Sequence, residues 1–86
     1  MIFQEVPLNV VLTIYSEDID EDYIYGKIVM RNEEEPIIAQ INDKGENDGY
    51  LYLQWEGIYR IDYESSYEEK IERLYQAKNQ YHEELM

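Results

Sequence analysis

Apolar and polar residues alternate along most of the first 63 residues, which is the pattern of short β-strands. The predicted strands are residues 8–15, 23–31, 37–41, 50–55 and 58–63. The segments between them are rich in acidic residues, asparagine and glycine, which are typical of turns. The clearest loop is residues 42–49, with the sequence NDKGENDG. The pattern therefore predicts a small fold that is mainly β.

Two places carry signals beyond the alternation: one lies inside the second strand and one between the fourth and fifth strands. The second predicted strand places Ile24, Ile28 and Met30 on its apolar face, and Gly26 lies on that same face. A glycine inside a strand usually marks a bend or a bulge, which is how a short sheet begins to curl. Residues 56–57 interrupt the pattern between the fourth and fifth strands. This interruption predicts a tight corner of about one helical turn.

The period changes after residue 64, where a helix is predicted. Ser66 and Glu69 have the spacing of a capping box. Apolar residues then recur at spacings of three and four, apart from one lysine, along the stripe Tyr67, Ile71, Leu74, Lys78, Tyr81 and Leu85. This stripe predicts a helix of about 20 residues. The chain is thus predicted to be one domain, 1–86, with a β-barrel at 6–63 and a C-terminal helix at 65–86.

The bent second strand, YGKI at 25–28, and the corner WEGIYRI at 55–61 resemble the SH3-like barrels, and within them the Sm-like proteins. The resemblance covers about residues 6–63. It implies a five-stranded SH3-like or Sm-like barrel, here followed by the helix. Residues 48–63 also resemble small uncharacterised bacterial proteins of this shape, which implies no activity.

The resemblance does not extend to RNA recognition. Sm-like proteins that bind RNA carry an aspartate and an asparagine after the second strand, and a basic residue followed by glycine near the fifth. This chain has Arg31 and Asn32 at the first place, and Arg60 followed by Ile61 at the second. RNA binding is therefore not expected from the resemblance.

Charge narrows the choice of partner. The 86 residues include 20 acidic and 7 basic side chains, for a net charge of -13, and residues 1–64 alone carry 15 acids and 4 bases, a difference of -11. Such a field repels nucleic acid and anionic membranes and attracts a basic protein surface. The chain lacks cysteine and any apolar run near the length of a membrane span. We expect a cytoplasmic protein.

Candidate chemistry in the sequence is sparse. Asp18, Asp20 and Asp22 begin like an EF-hand loop, but its sixth and twelfth positions are Tyr23 and Val29 instead of glycine and glutamate. Weak binding of divalent ions by these carboxylates stays open. Glycine-rich phosphate loops are absent, and His82 is the single histidine. The sequence therefore predicts no catalytic residue, no metal site, no cofactor and no enzymatic activity.

Ten tyrosines are the most suggestive feature. Tyr23 and Tyr25 lie on the polar face of the second predicted strand, and Tyr50 and Tyr52 on that of the fourth. Tyrosine is enriched in protein interfaces, because it combines a rigid apolar ring with a polar hydroxyl. These four tyrosines, with the rim carboxylates Asp18, Asp20 and Asp22, are the predicted protein-binding residues. Alternatively, the helix covers that face and its tyrosines form a second small core.

The leading hypothesis is a non-catalytic acidic interaction module, for example an inhibitor or immunity-type protein that binds a basic protein surface. Two alternatives stay open. One is a structural role as a self-assembling, Sm-like homo-oligomer. The other is nucleic-acid mimicry, in which carboxylates spaced like phosphates occupy the DNA-binding groove of a partner.

Overall fold

A computed structural model describes residues 6–31 and 35–85, and the helix side chains through Lys78. The described chain is mainly β with one C-terminal helix, which confirms the predicted fold class. Its elements are β1 (Leu12–Ser16), β2 (Ile24–Met30), β3 (Ile37–Ile41), β4 (Asn47–Tyr52), β5 (Ile58–Asp62) and α1 (Ser66–Leu85). A 3₁₀ turn at Trp55–Gly57 forms the predicted corner before β5.

The five strands form one antiparallel sheet in the order β4-β3-β2-β1-β5. The expected closed barrel is not formed, because β4 and β5 end the sheet without pairing with each other. The chain leaves β4 at Tyr52 and crosses the open side through Leu53 and the 3₁₀ turn. Side chains close this side of the core where a barrel would use backbone hydrogen bonds.

The main hydrophobic core lies on one face of this curled sheet. Its strand residues are fully buried, and the crossing segment packs against them. Together with Val6, which precedes β1, the core residues are Leu12, Ile14, Ile24, Ile28, Ile38, Leu53, Trp55 and Ile58. Each buried aliphatic side chain contributes about 1.5–3 kcal/mol of transfer free energy. The alternation in the sequence therefore identified the face that drives folding.

The first strand begins later than predicted. Asn9 has a φ of 61°, a left-handed conformation that asparagine tolerates better than most residues. This conformation breaks the extended backbone, so β1 begins at Leu12 instead of Leu8. Leu8 and Val10 consequently stay exposed. Alternation alone could not reveal the break.

The second strand ends in an irregularity that changes its apolar face. Its register with β3 shifts between Ile28 and Met30. Met30 was predicted to face inward, but it is 53% exposed, and Val29 before it is exposed as well, so the alternation ends at this shift.

The bulge expected at Gly26 lies later in the strand, because Gly26 itself pairs in register with Leu12 and Gln40. Gly26 instead allows a close approach: a Cβ there would lie 2.6 Å from Ile38 Cγ2 and 3.1 Å from the Ala39 carbonyl oxygen.

The loop predicted at 42–49 is a much shorter turn. Asn42 Oδ1 accepts hydrogen bonds from the backbone N–H groups of Lys44 and Glu46, each at 3.0 Å. Gly45 supplies the positive φ of 79° that this turn requires. The turn therefore closes by residue 46, and β4 begins at Asn47 instead of Tyr50.

The capping residues at the start of the helix lie one position earlier than predicted. The Ser65 hydroxyl donates to Glu68 Oε2 at 2.7 Å, and the Ser65 N–H donates to Glu68 Oε1 at 3.2 Å. Ser65 and Glu68 therefore form the box, not Ser66 and Glu69. Both pairs have the same spacing, and burial of Glu68 selects the first.

The helix packs across the second face of the sheet. Ile71 is buried there against Val11 and Ile41, and three half-buried residues surround them: Tyr25, Leu74 and Tyr75. Tyr67, which was predicted to lie on the apolar stripe, is 70% exposed. The prediction was wrong because the docked face follows positions 68, 71, 72 and 75, of which two are glutamates. The side chains of Tyr81, His82 and Leu85 lie outside the described residues.

Lys27 of β2 is buried beneath this helix. Lys27 Nζ lies 3.2 Å from Glu72 Oε2 and 4.2 Å from the centre of the Tyr75 ring. Both partners belong to α1, so the positive charge of the sheet is neutralised by the helix. The helix is thus held by an ion pair as well as by apolar contacts.

Gly45→Ala and Gly49→Ala form a matched pair that tests the docking of α1. Both glycines have a positive φ, 79° and 89°. A Cβ at Gly45 would lie 2.5 Å from Leu74 Cβ, whereas one at Gly49 meets nothing within 4 Å. We expect each variant to lose about 1–2 kcal/mol from backbone strain. Gly45→Ala should lose about 1–3 kcal/mol more because the helix must move. Equal losses in urea unfolding would contradict the docking.

Candidate functional site

The helix α1 covers only part of the second sheet face. A groove lies between the uncovered part of that face and the first turn of α1. Its volume is about 720 Å³, within the range of roughly 300–1,000 Å³ that is usual for ligand sites. Residues from β1, β2, β5 and the helix start line it. Five of them are the tyrosines Tyr15, Tyr23, Tyr25, Tyr63 and Tyr67. We call this feature the tyrosine groove.

The tyrosine rings on the sheet side of the groove contact one another. The Tyr23 and Tyr25 rings meet edge to face, with centroids 5.5 Å apart and planes at 68°. Tyr15 lies 6.0 Å from Tyr23 and 6.2 Å from Tyr59, with tilted planes. These separations and tilts are the ones that aromatic pairs prefer. The rings form a continuous aromatic wall.

One cation lies at the β5 side of the groove. The Arg60 guanidinium carbon is 5.0 Å from the centre of the Tyr15 ring. Arg60 Nη2 is 3.0 Å from Asp62 Oδ2, and Nε donates to Asp62 Oδ1 at 3.1 Å. The Tyr15 hydroxyl also donates to Asp62 Oδ2, at 3.3 Å. The guanidinium is therefore bound by one aromatic ring and one carboxylate.

A second carboxylate, Glu68, lies deeper in the groove and is 4% exposed. Besides its two bonds from Ser65, Glu68 Oε2 accepts a hydrogen bond from the Thr13 hydroxyl at 2.8 Å. Within the described part of the chain, no lysine or arginine forms an ion pair with it. The positive end of the α1 dipole compensates part of its charge.

The surroundings of the tyrosines change their acidity. Burial raises the pKa of Tyr25 to about 12, and a hydrogen bond with Tyr23 acts in the same direction. Burial also raises the pKa of Tyr15, and the negative charge of Asp62 raises it further. Both phenols therefore keep their protons to a higher pH than an ordinary tyrosine, and the Tyr15 proton is donated to Asp62.

The structure places the seven predicted binding residues in three regions. Tyr23 and Tyr25 line the groove. Tyr50 and Tyr52 are 72% and 64% exposed on the edge strand β4 and do not line it. The three aspartates lie exposed in the loop between β1 and β2. The predicted surface is therefore divided, and only the β2 tyrosines belong to the groove.

The acidic loop between β1 and β2 is anchored at the 3₁₀ corner. The Glu17 N–H donates to the Gly57 carbonyl at 2.9 Å, and the Asp18 N–H donates to Ser16 Oγ at 3.0 Å. Ile19 packs against the main core. These contacts hold the loop in place while Asp20 and Asp22 stay exposed, and Asp22 directly precedes Tyr23 of the groove.

Sequence reasoning missed several groove residues, among them Tyr15, Arg60, Asp62 and Glu68. The pairing of β1 with β5 brings the first three together, since Tyr15 lies opposite Arg60 and Thr13 lies opposite Asp62. The signal for Glu68 was present as a second serine and glutamate at capping-box spacing. The pairing of the first and last strands had no comparable local signal.

Among the described side chains of residues 6–31 and 35–78, no group of three or more histidine, aspartate or glutamate residues is placed to hold a metal ion. No described helix is long and apolar enough to cross a membrane. Comparisons with protein-family models, with curated proteins and with solved structures found no match to this chain.

Replacing Tyr25 with phenylalanine tests the buried phenol of the groove. The pKa rises from an ordinary value of 10.0 to about 12 on folding, so the folded state holds this proton more tightly than the unfolded chain. The stabilisation is complete below pH 10 and is lost as the pH rises through about 12. In a tyrosinate absorbance titration, we expect Tyr25→Phe to remove a step near pH 12.

The matched control is Tyr50→Phe, because Tyr50 is exposed outside the groove. The step at high pH should persist in this variant. Loss of that step in Tyr50→Phe, or its persistence in Tyr25→Phe, would contradict the burial of Tyr25 in the groove.

Proposed function

We propose that this protein is a non-catalytic, acidic interaction module that binds a basic surface of another protein. The observation that carries the proposal is the tyrosine groove next to the anchored acidic loop. An inhibitor or immunity-type role, in which the module occupies a functional surface of its partner, is the specific form we favour. Such a role requires a surface for binding and no reaction.

The groove supports the proposal through its composition. Tyrosines are enriched among the residues that contribute most to protein interfaces, because their two side-chain torsions cost little entropy on binding. The wall of Tyr15, Tyr23 and Tyr25 is already ordered by ring contacts at 5.5–6.0 Å. A preordered aromatic wall loses less conformational freedom when a partner binds.

The charge supports a basic partner. Residues 1–64 carry 15 acids and 4 bases, a net -11; Asp20 and Asp22 are exposed, and Asp22 directly precedes Tyr23 of the groove. A field of this sign accelerates the association of a positively charged surface and slows that of a negative one. The acidic loop then steers the partner, and the groove binds it.

Self-assembly is a second candidate, supported by the open sheet. In the described chain, β4 pairs only with β3, and β5 pairs only with β1. Exposed strand edges can pair with another chain, and Tyr50 and Tyr52 on β4 are exposed. This candidate predicts an oligomer in light scattering at moderate salt, where repulsion between acidic copies is screened. A monomer at both low and moderate salt would exclude it.

A comparison of the wild type with two variants tests the interaction proposal. The tagged protein, Tyr23→Ala and Tyr50→Ala would each be used to capture partners from the host lysate. We expect a basic partner to be captured by the wild type and by Tyr50→Ala and to be lost with Tyr23→Ala, because only Tyr23 lines the groove. Capture should weaken between about 50 and 300 mM salt. A partner that is retained equally by all three proteins would contradict binding in the groove.

Association rates with that partner test the steering. Asp20→Asn with Asp22→Asn removes two charges beside the groove, and Asp43→Asn with Asp48→Asn removes two exposed charges from the β3–β4 hairpin. We expect the first pair to slow association several-fold more than the second, with a smaller change in dissociation. Equal effects would show that steering depends on total charge and not on the loop.

A further inference from the structure

We propose that the tyrosine groove is a receptor for a guanidinium group, the side chain of an arginine presented by the partner. This inference rests on the proposed function and specifies the chemistry of its binding site. It follows from the buried carboxylate, the aromatic wall and the cation that the groove already holds.

Glu68 gives the groove a buried negative charge with acceptor capacity left. Two of its hydrogen bonds reach Oε2, from Thr13 and Ser65, and one reaches Oε1, from the Ser65 N–H. A carboxylate has about four acceptor positions, so Oε1 retains one. Buried carboxylates are usually paired with a cation, and the described chain supplies none to Glu68. A cation that enters the groove would complete this site.

The aromatic wall favours a cation over a neutral group. Tyr15, Tyr23 and Tyr25 line the same groove as Glu68. The face of each ring carries a partial negative charge that attracts a cation within about 6 Å. Because the groove is partly desolvated, such attractions are stronger there than on an exposed surface. Rings and carboxylate together therefore select positive charge.

Arg60 shows which cation the groove accommodates. Its guanidinium already lies over the Tyr15 ring while it contacts both oxygens of Asp62. A planar guanidinium can stack on a ring and direct its N–H groups at a carboxylate at the same time. Lys27 shows that an ammonium can also lie over a ring beside a carboxylate, but an ammonium is more strongly hydrated and has no planar face to stack, so it loses more hydration on entering the groove. Tyr23, Tyr25 and Glu68 line the same groove, so it offers a second set of rings and a carboxylate of the kinds that bind Arg60.

Arg60 also competes with an incoming arginine. Its positive charge repels a second guanidinium, and it occupies the ring of Tyr15 and the carboxylate of Asp62. The Arg60 side chain is 62% exposed, so its ion pair with Asp62 is easily broken. Removal of Arg60 should therefore strengthen arginine binding. If Arg60 instead helped to hold the incoming arginine or the groove, its removal would weaken binding.

The experiment uses N-acetylarginine amide as the probe and N-acetylcitrulline amide as its neutral analogue of nearly equal shape. N-acetyllysine amide is the second comparison. NMR shifts of the full-length protein are followed as each probe is added. We expect saturable shifts of Tyr23, Tyr25 and Glu68 with arginine at millimolar concentrations, weaker binding of lysine and none of citrulline. Equal binding of citrulline, or no saturable shift with arginine at tens of millimolar, would overturn the proposal.

Variants show whether arginine binds in the groove or is attracted only by the overall negative charge of the protein. Tyr23→Leu keeps an apolar side chain and should weaken arginine binding about threefold to tenfold. Tyr52→Leu, on the exposed edge of β4, should leave it unchanged. Arg60→Gln should strengthen it about twofold to fivefold. Equal effects of Tyr23→Leu and Tyr52→Leu, or weaker binding in Arg60→Gln, would contradict the assignment. Glu68→Gln should also weaken arginine binding. The helical circular dichroism of this variant would show whether α1 is retained.

Failure of this inference differs from failure of the proposed function. If a partner is captured through Tyr23 but the arginine probe does not bind, the guanidinium assignment is wrong and the interaction module stands. If the probe binds the groove but no partner depends on Tyr23, the site recognises arginine and the proposed function is wrong.

Discussion

The packing of α1 across one face of the sheet is the interaction on which the rest of the structure depends. Without the helix, Val11, Ile41 and Tyr25 would expose apolar surface, and Lys27 would lack its partner Glu72. The main core on the opposite face holds the sheet together, but it does not include the helix. The second face therefore owes its form to three kinds of contact with α1: apolar packing, the Lys27–Glu72 pair, and the hydrogen bonds of Glu68.

The helix covers only part of that face, and this partial cover creates the groove. Glu68 lies where the covered and open parts meet. It caps the helix through Ser65, binds the sheet through Thr13, and faces the groove. The residue that fixes the helix start is thus also the charge that makes the groove suitable for a cation. Glu68 therefore contributes both to the stability of the fold and to the proposed recognition. The effect of a substitution at Glu68 on each of the two must be measured.

The sequence predicted the number and type of elements well, because alternation and helical spacing are local signals. β3 matched its prediction, and the corner at Trp55–Gly57 was anticipated from local composition. The errors arose where backbone conformation departs from a regular pattern. The left-handed Asn9 delays β1, and the irregularity before Met30 turns that side chain outward.

The groove was predictable only in part. Tyr23 and Tyr25 were recognised because they lie on a polar strand face. The docked face of α1 was predicted only at Ile71 and Leu74, because Glu68 is buried and Glu72 half-buried by tertiary partners, whereas hydrophobic spacing treats glutamate as exposed. Arg60 and Asp62 reach the groove through the pairing of β1 with β5, which joins residues about 47 positions apart. No local pattern encodes such a pairing.

The most direct test of this account is a double-mutant cycle between Thr13 and Glu68, measured by urea unfolding. Thr13→Val, Glu68→Ala and the combined variant would be compared with the wild type. The hydrogen bond between the two side chains, buried and 2.8 Å long, predicts a coupling free energy of about 1–3 kcal/mol. Additive effects, with coupling below about 0.5 kcal/mol, would contradict the docking of the helix start onto the sheet, and with it the groove.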